Sequence, residues 1–464
     1  MNKPPVTSKK IKTTKSLYTA WVSGFFFPLH EKFKKHTSVA LRRQLEESQW
    51  WDNTRLRDFQ LTKLRDFLMH AQAHVLYYRH LFLENKFDPA DLRSLSDLAL
   101  LPFLTKSVIR RNIRGLKSDN ARYLAHYNTG GSSGEPLVFY IGKGRTSHDI
   151  AAKWRATRWW GVDIGDPEIV IWGSPIELGA QDRLRSLRDR IMRTRLLPAF
   201  EMSEQKIDGF LAEIRATRPK MLFGYPSALS HIARHAKIHG IRMDDLGIQV
   251  AFVTSERLYD DQREQISTVF NCPVANGYGG RDAGFIAHEC PEGGMHISAE
   301  DIIVEIIDAQ GNPLPPGESG EIVVTHLATH DFPFIRYKTG DMGILHDKPC
   351  ACGRGLPLIR EIQGRSTDFV VAQDGTVMHG LALIYILRDL PQIEAFKIVQ
   401  ESLNETRVYL VSKTSLDQLV RLQIEHAFKA RLGQAVTIVI EQVAQIPAET
   451  SGKFRYVVSK VANR

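Results

Sequence analysis

The chain has 464 residues, of which 43% are hydrophobic and 24% charged, the proportions of a globular protein able to bury a core of its own. Its formal charge of +9 is modest for that length; it admits anionic small ligands but does not point to nucleic acid. Four cysteines exclude a disulfide scaffold and, with no targeting segment, fit a reduced, cytoplasmic compartment.

The start is lysine-rich (Lys3, Lys9, Lys10, Lys12, Lys15) and leads into an apolar run, Leu17–Leu29. No run approaches the roughly 18–20 residues that span a bilayer. Ser23 and Gly24 interrupt this one, Pro28 ends it and no A-x-A-like cleavage site follows. It reads as a helix packed on the body or lying at a membrane surface, not as a signal peptide. Residues 41–82 read as helix, because Leu61, Leu64, Leu68, Ala71 and Val75 recur at three- and four-residue steps. From about residue 120 short apolar runs (137–141, 169–172, 221–223, 250–254) alternate with helical stretches (145–160, 203–217, 226–239, 259–270). That alternation predicts an α/β domain with a largely parallel sheet. Gly311–Gly317 is a turn between two strand-like runs, 302–307 and 321–326. After Gly364 the pattern restarts on a smaller scale. Strands at 369–371, 395–399, 408–412 and 436–441 surround a helix at 415–432, which predicts a separate α+β domain of residues 365–464.

Five strings carry candidate chemistry. Tyr127-Asn-Thr129-Gly130-Gly131-Ser132-Ser133-Gly134-Glu-Pro136 combines glycines, whose backbone N–H groups approach an anion closely, with hydroxyl donors. It is not a Walker loop, because no Gly-Lys-Ser/Thr ends it. Gly277-Tyr278-Gly279-Gly280-Arg281-Asp282 offers an aromatic face, close-approach glycines, a cation and a carboxylate. Arg336-Tyr-Lys-Thr-Gly-Asp341 ends in a carboxylate, which can accept two hydrogen bonds at once. Gly364-Arg365 follows, and Ile446-Pro-Ala-Glu-Thr-Ser-Gly-Lys453-Phe-Arg455 lies near the end. Each string alone is also compatible with an ordinary turn or surface segment. Cys290 and His296 in Cys-Pro-Glu-Gly-Gly-Met-His, with Cys350-Ala-Cys352, offer three thiolates and an imidazole, the ligand set of a closed tetrahedral Zn²⁺ site. His288 competes with His296 as the nitrogen ligand, and Cys272 reads as core. The arginines at 183, 185, 188, 190, 193 and 195 form a basic helical stretch: a solvated face, or a landing site for CoA phosphates, a carrier protein or acidic lipid.

In this order the five strings resemble the adenylate-forming ligases, and the chain is similar to their phenylacetate–CoA ligase/CapK-like branch over nearly its whole length. The resemblance implies a large N-terminal domain, residues 1–364, with mostly parallel sheets and a helical segment to about 118. It also implies a small mobile C-terminal lid, 365–464. Thr129, Gly130, Gly131, Ser132, Ser133 and Gly134 would cover the ATP phosphates. Tyr278 would stack on adenine, Gly279, Gly280 and Arg281 (where many members have Thr) would lie at the nucleotide, Asp282 would help hold Mg²⁺ where most members have Glu, and Asp341 would bind the ribose hydroxyls. Arg365 would stand beside the hinge, and Lys453 would stabilise the charge that builds during adenylation. Tyr225 and Pro226 in Phe-Gly-Tyr-Pro-Ser resemble the segment near the acyl pocket, and Ser255 and Glu256 in Val-Thr-Ser-Glu-Arg resemble the segment lining the nucleotide and substrate junction. The implied reaction joins a carboxylic acid to ATP and passes the acyl group to a thiol, most simply CoA, with zinc in a structural role. A sugar or amine acceptor beside surface-polysaccharide synthesis, a non-catalytic nucleotide-binding homologue, and a monomer or homodimer all remain open.

Overall fold

The computed structural model describes residues 16–128, 137–172, 183–199, 201–256, 258–362, 369–412, 415–446 and 457–461. Strands β1 (Ala125–Asn128) and β2 (Val138–Ile141) form an antiparallel hairpin. In chain order follow β3 (Glu168–Trp172), β4 (Thr194–Pro198), β5 (Glu201–Met202), β6 (Met221–Gly224), β7 (Val250–Thr254), β8 (Val274–Gly280) and β9 (Gly284–Glu289). Then come β10 (Met295–Ile297), β11 (Ile302–Ile307), β12 (Ser319–His326), β13 (Phe334–His346) and β14 (Leu358–Ile362). Eleven of these build one sheet in the order β11-β12-β13-β14-β10-β9-β8-β7-β6-β3-β4.

The sheet is mixed. From β4 to β8 every neighbouring pair is parallel, and from β8 to β11 every pair is antiparallel. The connections explain the change. Helices Glu204–Thr217, Pro226–Ile238 and Asp260–Phe270 supply crossovers in the parallel half, whereas the later strands follow one another without a crossover helix and pair antiparallel. The alternation of runs and helices stops at residue 270, and β8, which follows it, is the last parallel strand.

The predicted helix over 41–82 is three helices: Ser38–Ser48, Asn53–His74 and Leu76–Glu84. The Asp52 carboxylate accepts from the Arg55 N–H and starts the second, and Val75, in an extended conformation, ends it. Leu56, Leu64, Phe67, Leu68 and Ala71 of that helix are buried against the antiparallel half. Arg336 locks this helical segment to the sheet. Its guanidinium pairs with both Glu305 oxygens and donates to the Ala99 and Leu101 carbonyls.

Pro28 does not end the first helix. Leu17–Trp21 is α-helical, Val22–Phe26 widens into a π-helical turn, and Phe27–Phe33 resumes as α-helix. Pro28 falls in the first turn of that resumed segment, where its missing N–H costs little.

The C-terminal part has its own hydrophobic cluster, including Val370, Leu383, Phe396, Ile424, Phe428 and Val457. Strands β15 (Phe369–Val371), β16 (Val377–His379), β17 (Ile393–Ser402), β18 (Glu405–Ser412), β19 (Thr437–Gln442) and β20 (Val457–Ser459) flank two helices, Leu381–Arg388 and Gln418–Leu432. Four strands form a sheet of order β19-β18-β17-β20, and β16 also pairs with β5. The expected boundary at 364/365 falls on residues outside those described.

Candidate nucleotide and metal sites

The parallel strands β3, β6, β7 and β8 end at one edge of the sheet, the edge at which open α/β sheets bind ligands. Most of the expected site residues that the structure describes lie there. Tyr225 follows β6, and Pro226 opens the next helix. The Tyr225 ring stacks on Trp172 at the end of β3, with centroids 4.4 Å apart. Ser255 follows β7 with a left-handed φ of 73°, a conformation costly for a residue with a side chain. Next to it the Glu256 carboxylate accepts from the Ser227 hydroxyl.

At the end of β8 the chain turns back into β9 through Arg281, Asp282 and Ala283. Gly279 is required here, because a Cβ on it would lie 2.1 Å from the Gly284 carbonyl oxygen. The turn brings together residues far apart in sequence. The Tyr278 hydroxyl donates to Asp341 Oδ2 at 3.1 Å, and the Tyr337 hydroxyl donates to Asp282 Oδ2 at 2.5 Å. Burial, reinforced by the Asp341 carboxylate, raises the Tyr278 phenol well above its usual range, so the hydroxyl stays a donor. Arg281 Nη1 donates to the Asn128 carbonyl at 3.4 Å. Asn128 is the last residue of β1 and the last one described before the expected phosphate loop. Residues Thr129, Gly130, Gly131, Ser132, Ser133 and Gly134 themselves lie outside the described residues, as do Arg365 and Lys453.

Beneath the turn is an ion pair that the motif reading missed. Arg145, 2% exposed, donates from Nη1 to the Asp282 carbonyl at 3.1 Å and from Nη2 to the Arg281 carbonyl at 3.3 Å. Its Nε donates to Asp149 Oδ2 at 2.9 Å. Burial pushes the Asp149 carboxyl up, but Arg145 and His148 outweigh it and hold the group below its ordinary range. Gly284 leaves room for the guanidinium; a Cβ there would lie 2.8 Å from both Arg145 Nη2 and His326 Nε2. His148, Asp149 and His326 cluster closely enough to suggest a metal. The donor set argues against one, because His326 Nδ1 accepts from the Ala328 N–H, which leaves the proton on Nε2 facing the cluster. Arg145 on one Asp149 oxygen, with the His326 N–H 4.0 Å from the other, makes an ion pair rather than a cation site.

Cys290, His296, Cys350 and Cys352 lie at the other end of β9, with donor atoms all within 4.8 Å of one another. Cys290 Sγ is 3.6 Å from Cys350 Sγ, and Cys352 Sγ is 3.2 Å from His296 Nε2. Tetrahedral zinc with Zn–S bonds of about 2.3 Å needs S···S separations of roughly 3.7 Å, so the residues fit the ion. Two similar turns present the thiols. The Gly293 N–H bonds the Cys290 carbonyl and the Gly353 N–H bonds the Cys350 carbonyl, with both glycines at positive φ. His296 Nδ1 lies 3.3 Å from the Leu356 carbonyl, which leaves Nε2 toward the thiols. His288 is outside the cluster. Its ring is fully buried and stacked on Phe285 at 5.3 Å, and burial lowers its pKa to about 3. Cys272 is buried in the core of the parallel half.

Residues 194–328 match the family model of AMP-binding enzymes, and residues 370–460 match that of the CapK C-terminal domain. The chain is 24% identical to protein CapK of Staphylococcus aureus over 95% of its own length and 96% of that protein's. It is 24% identical to phenylacetate–coenzyme A ligase of Thermus thermophilus (82% of this chain, 84% of that one) and 29% identical to that of Pseudomonas putida (68% and 72%). Among solved structures it resembles 2-hydroxyisobutyryl-CoA ligase in complex with 2-HIB-AMP and CoA, with a TM-score of 0.64 and 19% identity over 90% of this chain and 94% of that one. The chain therefore belongs to the adenylate-forming superfamily of AMP-forming ligases, in its CapK and phenylacetate–CoA ligase-like branch.

Proposed function

We propose that the protein activates a carboxylic acid with ATP and transfers the acyl group to the thiol of CoA. A carboxylate oxygen attacks the α-phosphorus, pyrophosphate leaves and acyl-AMP forms. The thiol sulfur then attacks the acyl carbon, and AMP leaves with the electron pair of the broken bond. The observation that carries this reading is the convergence of Tyr278, Asp282 and Asp341 on the edge where β8 ends, next to the residue that opens the 129–134 loop.

In this reading Tyr278 meets the adenine with Gly279 and Gly280, Asp341 accepts from the ribose hydroxyls, and residues 129–134 hold the phosphates. Mg²⁺ at Asp282 supplies charge neutralisation for the polyphosphate. Arg281 braces the turn, Lys453 stabilises the adenylation transition state, and Arg365 stands at the hinge that withdraws it. Tyr225, Pro226, Ser255 and Glu256 line the acid's side, and the Tyr225–Trp172 stack supplies an aromatic wall. Zn²⁺ on Cys290, His296, Cys350 and Cys352 staples β9 to the segment between β13 and β14, as a structural ion closed to substrate. The enzyme works in the cytoplasm, as a monomer or homodimer, in peripheral contact with a membrane surface. ATP–pyrophosphate exchange over a panel of carboxylic acids tests the first half-reaction. Exchange that follows one class of acid supports the reading, and none with any acid overturns it.

A second reading keeps the adenylation and changes the acceptor to a sugar hydroxyl or amine, in a role beside surface-polysaccharide synthesis. The match to protein CapK over 95% of the chain favours it. Offering CoA and amino sugars to preformed acyl-AMP separates the two by the product formed.

A further inference from the structure

Leu17, Trp21, Phe25, Leu29 and Phe33 are 91%, 47%, 61%, 43% and 81% exposed. They recur every fourth residue along the first helix. In a uniform α-helix each such step rotates the row by about 40°, so five residues would wind around the axis. The widened turn at Val22–Phe26 reduces that rotation and straightens the row. The opposite face of the same helix is already committed to the protein. Thr19 Oγ1 donates to Asp166 at 2.7 Å, and Val22 packs on Gly165, where a Cβ would lie 2.6 Å away. The Phe27 ring meets Trp154 edge-on at 5.1 Å, and the buried Glu31 accepts from Ser38 Oγ at 2.6 Å. The helix therefore cannot turn its apolar row inward.

The surroundings of that row are basic. Residues 16–35 contain three lysines and one acidic residue, Glu31, which is buried. Lys32, Lys34 and Lys35 are exposed beside Phe33. The arginine-rich helix Arg183–Met192 runs alongside. The Tyr18 hydroxyl donates to the Ile191 carbonyl at 2.8 Å, and the Arg193 guanidinium lies 3.9 Å from the Tyr18 ring centroid. Arg190, Arg193 and Arg195 are exposed.

We propose that the first helix is an interfacial anchor, seating Leu17, Trp21, Phe25, Leu29 and Phe33 at the acyl boundary of an anionic bilayer while the neighbouring lysines and arginines meet lipid phosphates. The chemistry matches that of helices that lie in a membrane surface, with aromatic and aliphatic residues on one face and cations flanking them. A second copy of the chain fits less well. A two-fold contact would oppose the same lysine-rich face to itself, and lysine is depleted in protein interfaces. No helix among the described residues is long and apolar enough to cross a membrane, so the contact is with one surface. The inference rests on the peripheral-membrane part of the proposed function and is independent of its chemistry.

The test is sedimentation of the full chain with vesicles of phosphatidylcholine alone and mixed with phosphatidylglycerol. Binding to the mixed vesicles is expected, weakened by salt and reduced at least roughly tenfold in Phe25→Ser/Phe33→Ser. Both positions are exposed, so the variant should keep its melting temperature and its pyrophosphate exchange. That separates failure of the anchor from failure of the adenylation reading. Bromine-labelled lipids should quench a component of fluorescence that Trp21→Phe removes while vesicle binding persists. Equal binding by wild type and double variant, or no preference for the anionic vesicles, overturns the proposal. So does a concentration-dependent dimer that the double variant breaks without any vesicle binding, since the occupant is then a second copy.

Discussion

The two ends of β9 are built on different physics. At its Gly284 end a buried arginine, held by a carboxylate, grips two backbone carbonyls of the turn between β8 and β9. At its Glu289 end two glycine turns aim three thiols and an imidazole at one point. The first arrangement needs a charged pair kept largely from water, which holds only while both partners are present. The second needs only backbone turns and small side chains, which place four donor atoms within 4.8 Å of one another. One strand thus joins a clamp whose parts come from distant segments to a cluster whose parts come in two short strings.

The largest expected effect is at the clamp. Arg145→Met should destabilise the protein by about 3 kcal/mol, the low end for breaking a buried pair because Asp149 keeps some contact with solvent. It should also raise the Mg²⁺ and ATP needed for exchange, since the Asp282 turn loses two donors. Thermal unfolding and exchange kinetics measure both, and a stable variant with ordinary nucleotide affinity would mean that the turn holds itself. Lys453→Ala comes next, with acid-dependent exchange reduced roughly a hundred- to a thousandfold. Transfer from supplied acyl-AMP should be largely kept, and exchange at the wild-type rate would remove Lys453 from the mechanism.

The opposite end gives the third test. Purified protein should carry about one equivalent of zinc, and Cys352→Ser should lose it together with several degrees of melting temperature while adenylation persists. Elemental analysis that finds no zinc, or unchanged zinc in the variant, would leave the cluster as packed free thiols. Asp341→Ala should weaken ATP binding at least tenfold, as loss of charge-assisted bonds of about 1.5–3 kcal/mol each implies. The effect on 2′-deoxy-ATP should be smaller, because it offers one partner fewer. Equal losses for the two nucleotides would place the ribose elsewhere.

The smallest effect concerns His288, next to the Glu289 end of β9. Its folded pKa of about 3 lies below the unfolded value, so it favours folding above pH 6.5. That contribution is lost as pH falls toward 3, because the unfolded chain takes a proton that the buried ring refuses. Replacing His288 by Phe should flatten the acid limb by up to about 1.4 kcal/mol per pH unit. Urea titrations at pH 7 and 5.5 would detect it, and an unchanged slope would show that His288 is protonated in the folded state.

Much of this molecule was legible as local pattern. The helices at 204–217, 226–238 and 260–270 and the strands between them follow from hydrophobic period and end signals, which act within a few residues. The Cys/His spacing was legible for the same reason, since a chelating turn is made by neighbours. Arg145 and Asp149 were not, because they sit in an ordinary-looking helix and gain meaning only where β9 passes over them. The break at Val75 and the passage through Pro28 were also invisible, since tertiary contacts and a widened turn decided them.

The sequence by itself determined the order of the motifs, the restart of the pattern after Gly364 and the chemical types available at each site. Only the tertiary structure decided which of them meet. Tyr278 and Asp341 are 63 residues apart and share a hydrogen bond because β13 and β8 enter one sheet. Likewise, the first helix buries the side of Thr19, Val22, Phe27 and Glu31 and leaves the row from Leu17 to Phe33 outside. The sequence shows an apolar run there but not the side its residues face, because burial is fixed by whatever packs against the helix.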